Sequence, residues 1–194
     1  MSANIRPVFL GYRAKHPWRP DAVWDPEGAT GVAEVCSASD CISQPPEDWE
    51  KRWDFNRACC YAGAAEAAAS IPAGQRAEYA VFAYWLFPGS ADPSKMFDAR
   101  LPPLPAGEGP TDYEVLGFDV VEMEPDTTSG PSRLPPFGHA PLSCNYLARE
   151  VRVNRYCLVD SEDEAHRLVE RFNKEQLEPG TYFVVRVAME RRRP

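Results

Sequence analysis

Residues 78–87, Glu-Tyr-Ala-Val-Phe-Ala-Tyr-Trp-Leu-Phe, are apolar on both of their alternating faces. A strand of this kind is buried on both sides, so the segment predicts a central place in a sheet that is covered on each face. Tyr79, Val81, Ala83, Trp85 and Phe87 point one way, and Phe82, Tyr84 and Leu86 the other.

The rest of the chain has to build that cover. Short apolar runs at 7–14, 31–36, 113–124, 151–159 and 181–189 read as further strands. In 113–124 the pattern places Leu116, Phe118 and Val120 on one face, and in 181–189 it places Phe183, Val185, Val187 and Met189 together. Helices are predicted from Pro45-Pro46 onward, carrying Trp49, Trp53 and Cys60 on one stripe, and over roughly 62–71, which is rich in alanine. A third begins at Ser161, where Ser161 and Glu164 form a capping box ahead of Ala165, Leu168, Val169 and Phe172. Between these elements lie Pro- and Gly-rich stretches at 15–31, 88–112 and 125–141, which hold many of the 20 prolines. The expectation is one α+β domain over 1–194. It would have a mixed or mainly antiparallel sheet of about five strands, about three helices packed on it, and a C-terminal β-α-β unit over 151–189. No internal repeat and no linker between two cores is expected.

Composition narrows the function classes. A hydrophobic share of 44% suffices for a packed core, and the net charge of −8 argues against nucleic acid or an anionic membrane as partner. No secretory leader is expected from the first eight residues, and no apolar run is long enough to span a bilayer. The excess of arginine over lysine, with abundant Ala, Gly and Pro, suggests a GC-rich bacterial genome, and the lack of a leader signal suggests a cytoplasmic protein. The six cysteines show no CxxC spacing, so free buried thiols are expected, with no metal and no cofactor.

Two constellations could carry chemistry. The first is His139, Ser143, Cys144 and Asn145, followed by Asn154 and Arg155. It offers a Cys–His nucleophilic pair, or a Ser/Asn/Arg cluster that holds an anion. Against that stands a plain loop whose Ser143 and Asn145 bond their own backbone. The second pairs Gly11-Tyr12-Arg13 with Glu122-Met123-Glu124. These six residues resemble pieces of an ADP-ribosyltransferase, which would imply that Arg13 holds a dinucleotide and that the Glu-x-Glu turn carries the catalytic acid. The Ser-Thr-Ser element of such enzymes is missing, and two carboxylates two residues apart on a strand read as a solvated edge.

With no GxGxxG, GxxxxGK[ST], GxSxG or HExxH signature present, the leading expectation is a non-enzymatic domain that binds a basic protein, such as an immunity protein that neutralises a toxin. Trp18, Trp24, Glu122, Glu124 and Asp126 would be exposed and make the contact, the tryptophans as anchors and the acids as steering charges. The alternative is a small transferase or hydrolase that uses residues 137–157.

Overall fold

The computed structural model describes residues 6–46, 55–89, 91–92, 96–97, 102–123, 137–177 and 180–191. Four strands form one antiparallel sheet: β1 (Val8–Lys15), β2 (Ala80–Phe87), β3 (Glu114–Met123) and β4 (Thr181–Met189), in the order β1-β2-β4-β3. Three α-helices accompany it: α1 (Ala64–Ala69), α2 (Pro141–Cys144) and α3 (Glu162–Glu175). No helix among the described residues is long and apolar enough to cross a membrane.

As its two-sided pattern requires, β2 is central and buried at every position. Phe82, Tyr84 and Leu86 pack with Leu10, Val185 and Val187 beneath Cys36, Ala38, Phe97, Phe137 and Ala140. On the other face Val81 meets Ala67 of α1, while Phe87 joins Val120, Tyr182 and Val184 under Ala165, Leu168 and Phe172 of α3. α3 forms where its sequence signals place it. Ser161 Oγ accepts from the Glu164 amide at 3.2 Å, acids fill the first turn, and Gln176 ends the helix in a left-handed conformation.

The sheet has four strands where about five were expected. Residues 31–36 contribute only an isolated bridge, Val35 to Trp18, and 151–159 form a tight turn that touches β3 through Val159. The C-terminal unit is therefore not a β-α-β with parallel strands: β3 and β4 are antiparallel neighbours, with α3 between them in sequence. The face assigned to β3 also changes. Its register slips between Val115 and Gly117, so Leu116 joins the core on one side while Phe118 and Val120 lie on the other. Of the helix predicted after Pro46, residues 47–54 lie outside the described residues, and Cys60 sits in a turn.

The chain carries an internal repeat that the sequence reading did not anticipate. Asn56-Arg57, Cys59, Glu66 and Ala67 recur with the same spacing as Asn154-Arg155, Cys157, Glu164 and Ala165. The backbone repeats with them. β1 and β3 each bulge at a Leu-Gly pair, Leu10-Gly11 and Leu116-Gly117. After each bulge the strand bridges a distant residue through reciprocal hydrogen bonds, Tyr12 with Tyr61 and Phe118 with Val159. An asparagine organises each turn. Asn56 donates to Leu10 O at 2.7 Å and accepts from the Ala58 and Cys60 amides. Asn154 donates to Leu116 O at 2.7 Å and accepts from the Tyr156 and Leu158 amides. Cys59 and Cys157 take the same left-handed conformation, with φ of 51° and 62°. Each half is thus a bulged edge strand, an asparagine turn, a helix and a central strand, and the sheet order reads the same from either end.

Candidate functional site

The long connections inside the two halves meet on one face of the sheet. Segment 36–44 from the first half lies against 137–144 from the second. Three buried charges hold the first segment. Lys15, fully buried on β1, donates to the carbonyls of Ser37, Ala38 and Ser39 at 2.9, 2.9 and 2.6 Å and pairs with Asp40 at 3.1 Å. Arg13, also buried, pairs with Asp40 at 2.8 Å. From the opposite edge Asp119 accepts from Ser37 Oγ at 2.8 Å and the Ala38 amide at 2.9 Å.

Burial sets the titration of these groups. It pulls Lys15 down to about 8, against the pull of Asp40. It pushes Asp119 up to about 6, partly offset by the bonds from Ala38 and Ser37. For Asp40 burial acts upward too, but Arg13 and Lys15 outweigh it and hold the carboxyl below its usual range.

The second segment is held as firmly. The Glu122 amide donates to His139 O, and the Gly138 amide donates to Glu122 O, both at 2.8 Å. Trp24 Nε1 donates to Ser143 O at 3.0 Å, and the Cys144 amide donates to Ala140 O at 2.8 Å. Between the two segments Cys41 Sγ lies 3.8 Å from His139 Nδ1, and the ligand atoms of Cys41, His139 and Cys144 all fall within 4.8 Å of one another. Ser39 Oγ and Ser143 Oγ approach Cys144 Sγ at 3.7 and 3.8 Å. Cys41 and His139 are exposed, while Cys144 is half-buried, its thiol raised to about 11 chiefly by desolvation. Beside them an open hollow of about 220 Å³ is lined by His16, Trp18, Cys41, Ile42 and Gln44.

The structure therefore divides the first predicted constellation. His139, Ser143 and Cys144 come together, joined by Cys41, which sequence spacing could not link to them. Asn145 caps α2, Asn154 is the hub of its turn, and Arg155 stacks over Tyr156 at 5.4 Å while its carbonyl accepts from Ala33 and Glu34. In the second constellation the described residues Arg13 and Glu122 lie apart. Arg13 and Glu122 lie on opposite edge strands, Arg13 is bound to Asp40, and Glu122 is buried with its carboxylate packed against Gly138 and Gly180. Glu122 is thus not part of a solvated edge. Glu124 and Asp126 lie outside the described residues.

All six cysteines are free, but only Cys36, Cys60 and Cys157 are buried. Nor is Trp24 an exposed anchor: it is 4% exposed, and Trp18 is half-buried against it at 5.8 Å. Trp24 instead supports an exposed pair on the same loops, Val23 (77%) and Tyr146 (44%). Asp21 Oδ1 accepts from the Val23 and Trp24 amides, while the Arg149 guanidinium binds the Val23 and Trp24 carbonyls and lies 4.8 Å over the Tyr146 ring. Comparison with known protein families, curated proteins and solved structures found no match.

Proposed function

We propose that the chain is a non-catalytic binding domain for a basic protein, and that an immunity protein neutralising a toxin is its concrete form. The observation that carries this reading is the apolar patch of Trp18, Val23 and Tyr146 around buried Trp24. Trp18 and Tyr146 already pack against the Trp24 ring, and side chains packed before docking lose less entropy on binding, which is what interface anchors need. Asp21, Glu27 and Glu150 are exposed on the same loops, and with the net charge of −8 they would steer a basic partner. The competing enzymatic reading is weakened at its nucleophile, because a thiol raised to about 11 is almost wholly protonated at neutral pH.

The test is binding kinetics with any small basic protein encoded beside this reading frame. Trp18→Ala with Tyr146→Ala is expected to speed dissociation about tenfold or more, with little salt dependence. Asp21→Lys with Glu150→Lys is expected to slow association at low salt only. No complex with any such protein, together with turnover of an ester, nucleotide or peptide abolished by Cys144→Ala, would overturn the proposal in favour of an enzyme.

A further inference from the structure

The cluster of Cys41, His139 and Cys144 goes beyond any protein-binding role and does not depend on it. We infer that these three side chains form a binding site for a borderline-soft divalent transition metal, with Zn²⁺ as its natural occupant.

Geometry is the first ground. With Zn–S near 2.3 Å and Zn–N near 2.0 Å, a tetrahedral site places neighbouring donors roughly 3.5–3.8 Å apart. The Cys41 sulfur and His139 Nδ1 are already 3.8 Å apart, and all three donor atoms lie within 4.8 Å of one another. Closing the set around an ion brings the donor atoms together by about an ångström or less.

Preorganisation is the second ground, because each ligand's backbone is tied independently. Asp40, next to Cys41, is gripped by Arg13 and Lys15, and the Cys41 amide donates to Ser39 Oγ at 3.2 Å. His139 is fixed through its carbonyl to β3, and Cys144 through α2 and the Trp24 indole. Ser39 and Ser143 hydroxyls lie beside the Cys144 sulfur, where they can donate to a metal-bound thiolate, the role that outer-shell groups play at such centres.

Donor chemistry chooses the ion. Two thiolates and one imidazole match Zn²⁺ and its neighbours and suit Mg²⁺ or Ca²⁺ poorly, since those ions require oxygen. Three protein donors leave a fourth position for water or another small ligand. Cys41 also borders the hollow formed with His16, Trp18, Ile42 and Gln44, so an exogenous ligand has room next to the site. Binding would release the thiol protons of Cys41 and Cys144 to solvent, because a coordinating sulfur is a thiolate.

The experiment is anaerobic titration of the reduced, full-length protein with Co²⁺ and then Zn²⁺, followed by visible absorption and by proton release. The expected result is one equivalent of Co²⁺ bound with release of about two protons and with the intense red-region bands of a tetrahedral thiolate site, followed by displacement of the Co²⁺ by Zn²⁺ with little further proton release. Cys41→Ser, His139→Gln and Cys144→Ser should each weaken binding more than about tenfold, while Cys59→Ser leaves it unchanged. Circular dichroism of each variant checks that the fold is kept. Absence of the bands in reduced wild-type protein would overturn the inference, as would binding insensitive to Cys41→Ser. So would a protein that binds no metal when reduced but forms a Cys41–Cys144 disulfide in air, since the pair would then be a redox couple.

Discussion

The two halves of the molecule share the order of a bulged edge strand, an asparagine turn, a helix and a central strand, and differ in what they bury on it. Two residues past the bulge glycine, the first half has Arg13 and the second has Asp119; four residues past, Lys15 faces Val121. All four are buried. The same geometry therefore presents cations at one edge of the sheet and a carboxylate at the other, and segment 37–40 runs between them. Its carbonyls and Asp40 face Lys15 and Arg13, and the Ala38 amide and Ser37 hydroxyl face Asp119. What an exact repeat would leave as two equal surfaces becomes a polarised clamp. The clamp fixes the neighbouring Cys41 opposite His139 and Cys144. The scaffold is duplicated, and the site arises from the side chains by which the copies differ.

The bulge glycines give the sharpest way to break the equivalence. Gly11 and Gly117 have φ of +122° and +147°, where a side chain is strained, and a Cβ at either would press on a backbone carbonyl, Tyr61 O or Val159 O. Gly11→Ala and Gly117→Ala should each cost roughly 3 kcal/mol or more in denaturant melts. A large effect at one glycine and none at the other would mean that only one half depends on its bulge.

The asparagine hubs should separate the halves by burial. Asn56 is 2% exposed and Asn154 half-exposed, although they make matching bonds. Asn56→Ala leaves buried amides and the Leu10 carbonyl without partners and should cost about 3 kcal/mol; Asn154→Ala should cost about 1–2 kcal/mol, because water can reach its turn. Equal losses in urea titrations would show that burial does not distinguish the two turns.

The polarised clamp predicts opposite pH trends for its two acids. Asp119, at about 6 in the folded state against 3.8 when exposed, holds a proton that the unfolded chain has lost, so its contribution is present below 3.8 and disappears as pH rises through 6. Asp40, held low by Arg13 and Lys15, contributes above its ordinary value and loses that contribution as pH falls through the lower folded one. Asp119→Asn should therefore remove a loss of stability of order 2 kcal/mol between pH 4 and 7, and Asp40→Asn a loss on acidification. Stability profiles that respond to both substitutions in the same direction would contradict the clamp.

Much of this architecture was legible in the sequence, for stated reasons. The two-sided pattern of 78–87, the alternation in 181–189 and the cap at Ser161 each reflect local rules, and the structure follows them. The bulge at Leu116 defeated strict alternation in β3. The run Val151–Val159 looked like a strand because it is rich in apolar residues, yet Cys157, Leu158 and Val159 are buried beside the Asn154 turn rather than in a ladder. The repeat itself could have been found in the paired Leu-Gly-aromatic and Asn-Arg-x-Cys spacings. The thiol cluster could not, since Cys41 reaches His139 only through the fold. Burial of Trp24 and Glu122 was hidden for the same reason: the Ser143 carbonyl, Gly138 and Gly180 that cover them come from distant segments.

One structural unit occurs twice in the molecule, each copy closed by an asparagine turn that bridges a bulged edge strand. Through-hydrogen-bond scalar couplings in NMR test it directly at the two bridges. Reciprocal couplings are expected between the amide and carbonyl groups of Tyr12 and Tyr61, and the same pair between Phe118 and Val159. Couplings at only one bridge, or a continuous ladder along Val151–Val159, would contradict it.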